Sequence, residues 1–290
     1  MRNAHTGIAT TREPSMIVTD FSSSTAATYS LNKANSAAAQ ANERISTTQR
    51  INSAKDDPSG YARAVKLKAE IGSFGKAIDN INAGISLVQS VDDSISQVSE
   101  VLIKMRELAV AAAGENNATT RATYQTTFSG YLDDITNIVS RTTYNGSSVL
   151  DGTTSSVSVQ TGINASETKT LNFFNMSTSS LGISSIDLST SIASASTAIT
   201  TIDTAMDTTA GYLTSVGAYE NALNFTSDLA SSYIQNKSSQ YGNIMNADMA
   251  AEATNLAAAQ IQQSSAAAMV AQGNMMNREM VSYLLRGYTG

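Results

Sequence analysis

Catalysis, metal binding and cofactor binding each begin with groups that can carry a proton or a lone pair, and this sequence is short of them. It contains one histidine, His5, and no cysteine. Nucleophile–base chemistry needs a positioned base, most often histidine. His5 lies in an N-terminal stretch without periodicity and reads as an ordinary surface residue. The carboxylate pairs Asp56/Asp57, Asp92/Asp93 and Asp133/Asp134 are consecutive. Neighbours on a helix point about 100° apart, so such pairs diverge instead of sharing a proton or an ion. Asp56 and Asp57 read as turn caps, and the other two pairs as solvated faces. No Gly-rich phosphate loop and no HExxH motif is present. The expectation is a protein with no catalytic residue, no cofactor and no metal site, and hence not an enzyme.

Composition points the same way. Of 290 residues, 74 are Ser or Thr and 41 are Ala, while Leu, Ile, Val and Phe number 57. That apolar share is at the lower edge of what supports a packed globule. The net charge of −6 is too small for a chain kept unfolded by its own charge, so the chain folds but is short of core as a lone monomer. An acidic balance excludes nucleic acid as a partner, which requires a cationic face. No run approaches the roughly 18 apolar residues of a membrane span, and no basic-then-apolar leader opens the chain, so no membrane insertion is expected, and if the protein leaves the cell it does so without a cleaved signal peptide. Trp is absent and the other aromatics are scattered, which leaves no aromatic cluster for a ligand pocket.

The elements are legible from spacing. The only prolines are Pro14 and Pro58, and since Pro costs about 3 kcal/mol inside a helix, very long helices are permitted. Residues 1–22 read as an irregular head, with 1–15 a candidate mis-assigned start before Met16. Ala27, Leu31, Ala34, Ala38, Ala41 and Ile45 step 4-3-4-3-4, the spacing of a helix packing along a narrow seam. An Ala seam buries little, so this helix needs a partner. A break follows in RINSAKDDPSG (50–60), where Asn52, Asp56, Asp57 and Gly60 are turn and cap residues. A second run extends from Ile71 through Phe74, Ile81, Val88, Ile95 and Leu102 to Met105, predicting a helix roughly 60 Å long. A shorter helix carries Tyr124, Phe128, Tyr131, Ile135 and Ile138, and Asn145-Gly146 signals a turn. From 140 to 200, 27 of 61 residues are Ser or Thr. There Val157 and Val159, then Leu171 and Phe173, alternate with polar residues and predict a β-hairpin. Helical spacing resumes at Ile199 and continues to Ile244. The last segment has a seam of Ala253, Leu256, Ala267, Val270, Val281 and Leu284, interrupted by Gln260, Gln263, Asn274 and Asn277, so it is not a dry core. Met269, Met275, Met276 and Met280 read as packing residues of an assembly rather than a pliable groove.

Four strings, in order, resemble bacterial flagellin. They are RINSAKDDPSGYA (50–62), NINAGISLVQSVDDSISQVSEVLIKMRELAV (80–110), TTYNGSSVLDG (142–152) and NADMAAEATNLAAAQIQQSSAAAMVAQGNMMNREMVSYLLR (246–286). The resemblance implies a mainly α fold: a long paired-helix rod, coiled-coil-like terminal helices and a small β-hairpin region. It implies inner-tube helices at 23–50 and 249–286, a helical rod at 51–150 and 199–248, a Ser/Thr-rich outward surface at 151–198, and a short tail at 287–290. The inner-tube assembly seam would be Ala27, Leu31, Ala34, Ala38, Ala41, Ile45, Ala253, Leu256, Ala267, Val270, Val281 and Leu284. Lys104, Arg106, Glu107 and Leu108 would be rod-assembly residues and candidates to face an immune receptor; receptor-stimulating relatives carry a Gln–Arg pair where this sequence has Ile103 and Lys104. The function implied is a structural subunit exported unfolded by the flagellar type III apparatus. It would polymerise with itself, or with other flagellins, into the extracellular filament used for swimming. Hook-junction and cap proteins, and an export chaperone on the C-terminal segment, would be its partners. The alternatives are a hook–filament junction protein, or a filament subunit with an added glycan-binding role.

Overall fold

The computed structural model describes residues 15–288, with side chains for 24–282, Leu285 and Arg286. Five helices and two small antiparallel hairpins follow in the order α1 (Ser15–Thr47), α2 (Pro58–Ala113), α3 (Ala118–Arg141), β1 (Thr143–Tyr144), β2 (Ser147–Ser148), β3 (Ser156–Gln160), β4 (Thr168–Asn172), α4 (Ile192–Met245) and α5 (Met249–Tyr288). The first helix starts at Ser15, so the irregular head expected over 1–22 is helical from 15 onward, while 1–14 and His5 lie outside the described residues. Helix formation there needs no apolar stripe: nothing in 15–22 breaks a helix that propagates from the seam beginning at Ala27.

The chain divides into two compact units, one made of residues up to Lys66 with Gln240 onward, the other of Leu67–Ser239. The turn at 51–57 and the residues 240–248 therefore belong with the terminal helices rather than with the rod segment.

In the terminal unit α1 and α5 pack side by side. Arg44 pairs with Glu252 at 3.0 Å and Gln263 Nε2 donates to Asn35 Oδ1 at 2.7 Å. One number rises as the other falls, which makes the pair antiparallel. Ala27, Ala34 and Ala41 are buried on α1, as are Ala259 and Ala266 on α5. The helices end at facing breaks. Thr48 takes φ +57, a left-handed conformation that stops α1 at a cost of about 1–2 kcal/mol, and its carbonyl accepts from Ala247 N at 3.0 Å. Arg50 N donates to Met245 O at 2.6 Å, and its guanidinium to Ile244 O at 2.7 Å. Ile51, Ala64 and Met245 close a small apolar knot beside Tyr61, Tyr241 and Ile244.

The second unit holds the main core. The α2 run is buried at Ile81, Val88, Val91, Ile95, Val98, Leu102 and Met105, against Phe128 and Ile135 of α3 and Ile202, Val216 and Leu223 of α4. Three polar links tie α2 to α4: Glu70–Lys237 (2.6 Å), Gln89–Glu220 (2.9 Å) and Arg106–Asp203 (2.6 Å). Their opposed numbering makes this pair antiparallel as well. The β3–β4 hairpin has the expected strands, with Val157 opposite Leu171 and Val159 opposite Lys169. It lies against α2 because Gly84 leaves room: a Cβ there would sit 3.0 Å from Val159 Cγ2. Asn145 (φ 50) and Gly146 (φ 81) form the turn of the β1–β2 hairpin, which needs two positive-φ residues. Arg121, buried, donates to the carbonyls of Glu115 and Asn116. It thereby satisfies groups exposed where α2 ends and α3 begins.

Candidate assembly surface

The turn before α2 is built by two carboxylates with separate tasks. Asp57 precedes Pro58, and its Oδ1 accepts from Ser59 N (3.1 Å), Ser59 Oγ (3.2 Å) and Gly60 N (2.9 Å). This is an N-cap with proline at the first helical position. A Cβ at Gly60 would collide with the Asp57 carboxyl and lie 2.9 Å from Ile51 Cδ1, so a larger residue there would push the capping carboxyl or Ile51 aside. Asp56 Oδ2 accepts from Asn52 N, Ser53 N and Ser53 Oγ. The backbone N–H of Gly60 first, then Ser59, lowers the Asp57 pKa, and the N–H groups of Ser53 and Asn52 lower that of Asp56. Both therefore stay ionised and hold the turn. Asn52 enters through its backbone N–H alone.

Asp92 is half-buried, while Asp93, Asp133 and Asp134 are exposed. No group of three or more metal-ligating side chains occurs among the described residues. No helix among them is long and apolar enough to cross a membrane.

The seam on α1 faces its partner as spaced: Ala27, Ala34 and Ala41 are buried, and Leu31, Ala38 and Ile45 half-buried. On α5 the register differs from the one read in the sequence. Leu256 and Val270 are half-buried, but Ala253, Ala267 and Val281 are exposed, and the Leu284 side chain lies outside the described residues. The residues turned toward α1 are Glu252, Leu256, Ala259, Gln263, Ala266, Val270 and Gly273, which repeat the 4-3 stepping of α1. Apolar counting missed this register because its first member is charged. Glu252 is buried together with its ion pair to Arg44, while Gln263 stays exposed and reaches α1 through its hydrogen bond to Asn35. Reading α5 with the step of α1, polar residues included, would have found it.

Away from α1, α5 exposes apolar side chains among polar ones: Ile261 at 71% and Met275 at 69% on the far side, and Met269 at 52% on a flank. Single exposed apolar residues need no explanation, but a row of them along one helix marks an interaction surface. In the second unit Lys104, Arg106 and Glu107 are exposed and Leu108 is half-buried. Arg106 is occupied within the chain by Asp203. Beyond them Ile103, Val110 and Phe225 are exposed as well.

The Bacterial flagellin N-terminal helical region model matches residues 18–155, and the Bacterial flagellin C-terminal helical region model matches 199–284. Together they take in over three quarters of the chain. Flagellin 1 of Proteus mirabilis is 35% identical over 156 residues, covering 53% of this chain and 43% of that protein. B-type flagellin of Pseudomonas aeruginosa is 36% identical over 141 residues, covering 48% of this chain and 29% of its own. The chain thus spans less than half the length of these curated relatives. A solved structure assigned as a flagellar hook-associated protein from Vibrio parahaemolyticus superposes with a TM-score of 0.57 at 18% identity. It covers 66% of this chain and 100% of its own, a likeness of fold alone.

Proposed function

The chain belongs to the bacterial flagellin family, and from that premise we propose that it is a filament subunit which polymerises with copies of itself through its terminal helices. The observation that carries this reading is α5, which packs one small-residue face on α1 and leaves Ile261, Met269 and Met275 exposed on the rest of its surface. The α1–α5 seam is made largely of alanines, so it contributes little per contact, at about 0.8 kcal/mol per buried CH₂. The pair gains its stability when the outer face is covered, which is coupled ordering and assembly. Every copy carries the same uncovered surface, and heterologous contacts between copies that do not close into a ring propagate as an open helical polymer.

The subunit acts outside the cell as part of the flagellum, after export in unfolded form. A weak terminal pair suits passage through a narrow channel, because little structure must be undone. Hook-junction and cap proteins would meet the same terminal faces at the filament ends, and an export chaperone would cover α5 before assembly. The added glycan-binding role has no support in an aromatic groove: Phe174 is stacked on Tyr212 with centroids 4.1 Å apart. Nothing favours the junction reading over the filament reading.

Negative-stain electron microscopy tests the proposal, using full-length protein seeded with sheared filament fragments beside a copy lacking Met249–Gly290. Long uniform filaments from the full chain alone are expected. Persistent monomer in both, or filaments from the truncated copy, would refute it.

A further inference from the structure

We propose that Met269, Met275 and Met276 form an oxidation site at which a hydroperoxide reversibly blocks assembly. The three are exposed at 52%, 69% and 41% and lie within about 10 Å of helix. At 100° per residue Met275 and Met276 lie about 140° and 120° from Glu252, on the side of α5 away from α1, while Met269 lies on the flank about 60° from Ala266; all three are on surface that assembly would cover. Met105 and Met176 are fully buried in the second unit and Met245 nearly so in the first. Among the described residues Met206 and Met280 are half-buried, and Met249, Met269, Met275 and Met276 are exposed, all four on α5. No cysteine is present to intercept an oxidant first.

In the reaction the thioether sulfur gives an electron pair to the terminal oxygen of the hydroperoxide. The S–O bond forms, the O–O bond breaks, and the leaving oxygen departs as water or an alcohol after taking up a proton. Sulfur is oxidised by two electrons to the sulfoxide and the peroxide is reduced. A thiol-dependent sulfoxide reductase reverses the change. Each sulfoxide turns an apolar contact into a strong acceptor, and burying such a group without a donor is unfavourable. A subunit oxidised before assembly would stay monomeric, whereas one already in a filament would have the site covered.

The site matters only if the chain self-assembles as proposed above, and the experiment separates the two. Full-length monomer is treated with hydrogen peroxide, sulfoxides are located by peptide mass spectrometry, and the concentration needed for seeded polymerisation is measured. A variant carrying Met269→Leu, Met275→Leu and Met276→Leu keeps the face apolar, and its Met249, exposed at 41% at the start of α5, reports that the oxidant acted. Expected are sulfoxides at 269, 275 and 276 with Met105 and Met176 spared, and a rise of roughly tenfold or more in that concentration. Reversal by sulfoxide reductase and peroxide resistance of the Leu variant are also expected. Unchanged polymerisation of the oxidised chain, or equal inhibition of the Leu variant, would overturn the oxidation site alone. Failure of the untreated chain to polymerise would instead overturn the assembly reading.

Discussion

Replacing Ile261 with alanine should weaken assembly while leaving the isolated subunit unchanged. The side chain is 71% exposed, so most of its transfer energy remains to be gained on assembly. Full burial of an Ile side chain is worth about 1.5–3 kcal/mol, and 71% of that leaves about 1–2 kcal/mol at this position. Alanine retains only the Cβ, so most of the gain disappears. At about 1.4 kcal/mol per factor of ten, the critical concentration should rise roughly five- to thirtyfold. It is measured by pelleting polymer from seeded reactions over a dilution series and assaying the supernatant. Circular dichroism and the urea midpoint of the unpolymerised variant serve as the control, and alanine is also the better helix former. A critical concentration within about twofold of the parent would refute the assignment of this face, because the loss follows from area alone. A shift in the monomer's urea midpoint would show that Ile261 already packs within the subunit.

Three further outcomes follow from the packing and the charges. Phe128→Ala removes a fully buried ring from the second unit and should cost about 3–5 kcal/mol in urea unfolding, whereas Ile103→Ala, at a position 45% exposed, should stay within about 0.5 kcal/mol. Ala34→Leu places a larger side chain in a seam where Ala34 is 2% exposed; a loss of about 1–3 kcal/mol from overpacking should appear as lower helicity of the terminal unit on heating. The Asp187 carboxyl is held down to about 2, first by the Ser189 hydroxyl and then by that of Thr190. Its folded pKa lies below the ordinary 3.8, so its stabilisation is present above about pH 4 and is lost as pH falls toward 2; the difference in thermal midpoint between the parent and Asp187→Asn should shrink across that window.

Much of the fold was legible because helices bury residues at three- and four-residue steps. The α2 run from Ile81 to Met105 and the α3 run through Phe128 and Ile135 were marked by large residues that had to face one core. The hairpin was legible from two alternating pairs, and its position against α2 was not, since that depends on Gly84 leaving room for Val159. On α1 the spacing marked the residues that turn inward, with Ala27, Ala34 and Ala41 buried, because a single face of that helix is apolar at heptad spacing. The α5 seam was misread because the helix is rich in alanine all round, and small side chains leave two registers with nearly equal apolar content. Arg44 decides between them by reaching Glu252 across 208 residues of sequence, a pairing that no local pattern announces. The irregular head was misread for a related reason: 15–22 lack a stripe, and lack of a stripe does not prevent a helix.

Hydrogen exchange read by mass spectrometry, on monomer and on seeded filament of the full chain, tests the central claim most directly. The claim is that the terminal pair is weak alone and is secured by other copies, while the second unit carries its own core. Amides of α1 and α5 should then exchange rapidly in the monomer and become strongly protected in the filament, while those from Ile95 to Met105 and from Phe128 to Ile135 are slow in both. Terminal helices as protected in the monomer as the core segments, or no gain in their protection on polymerisation, would contradict it.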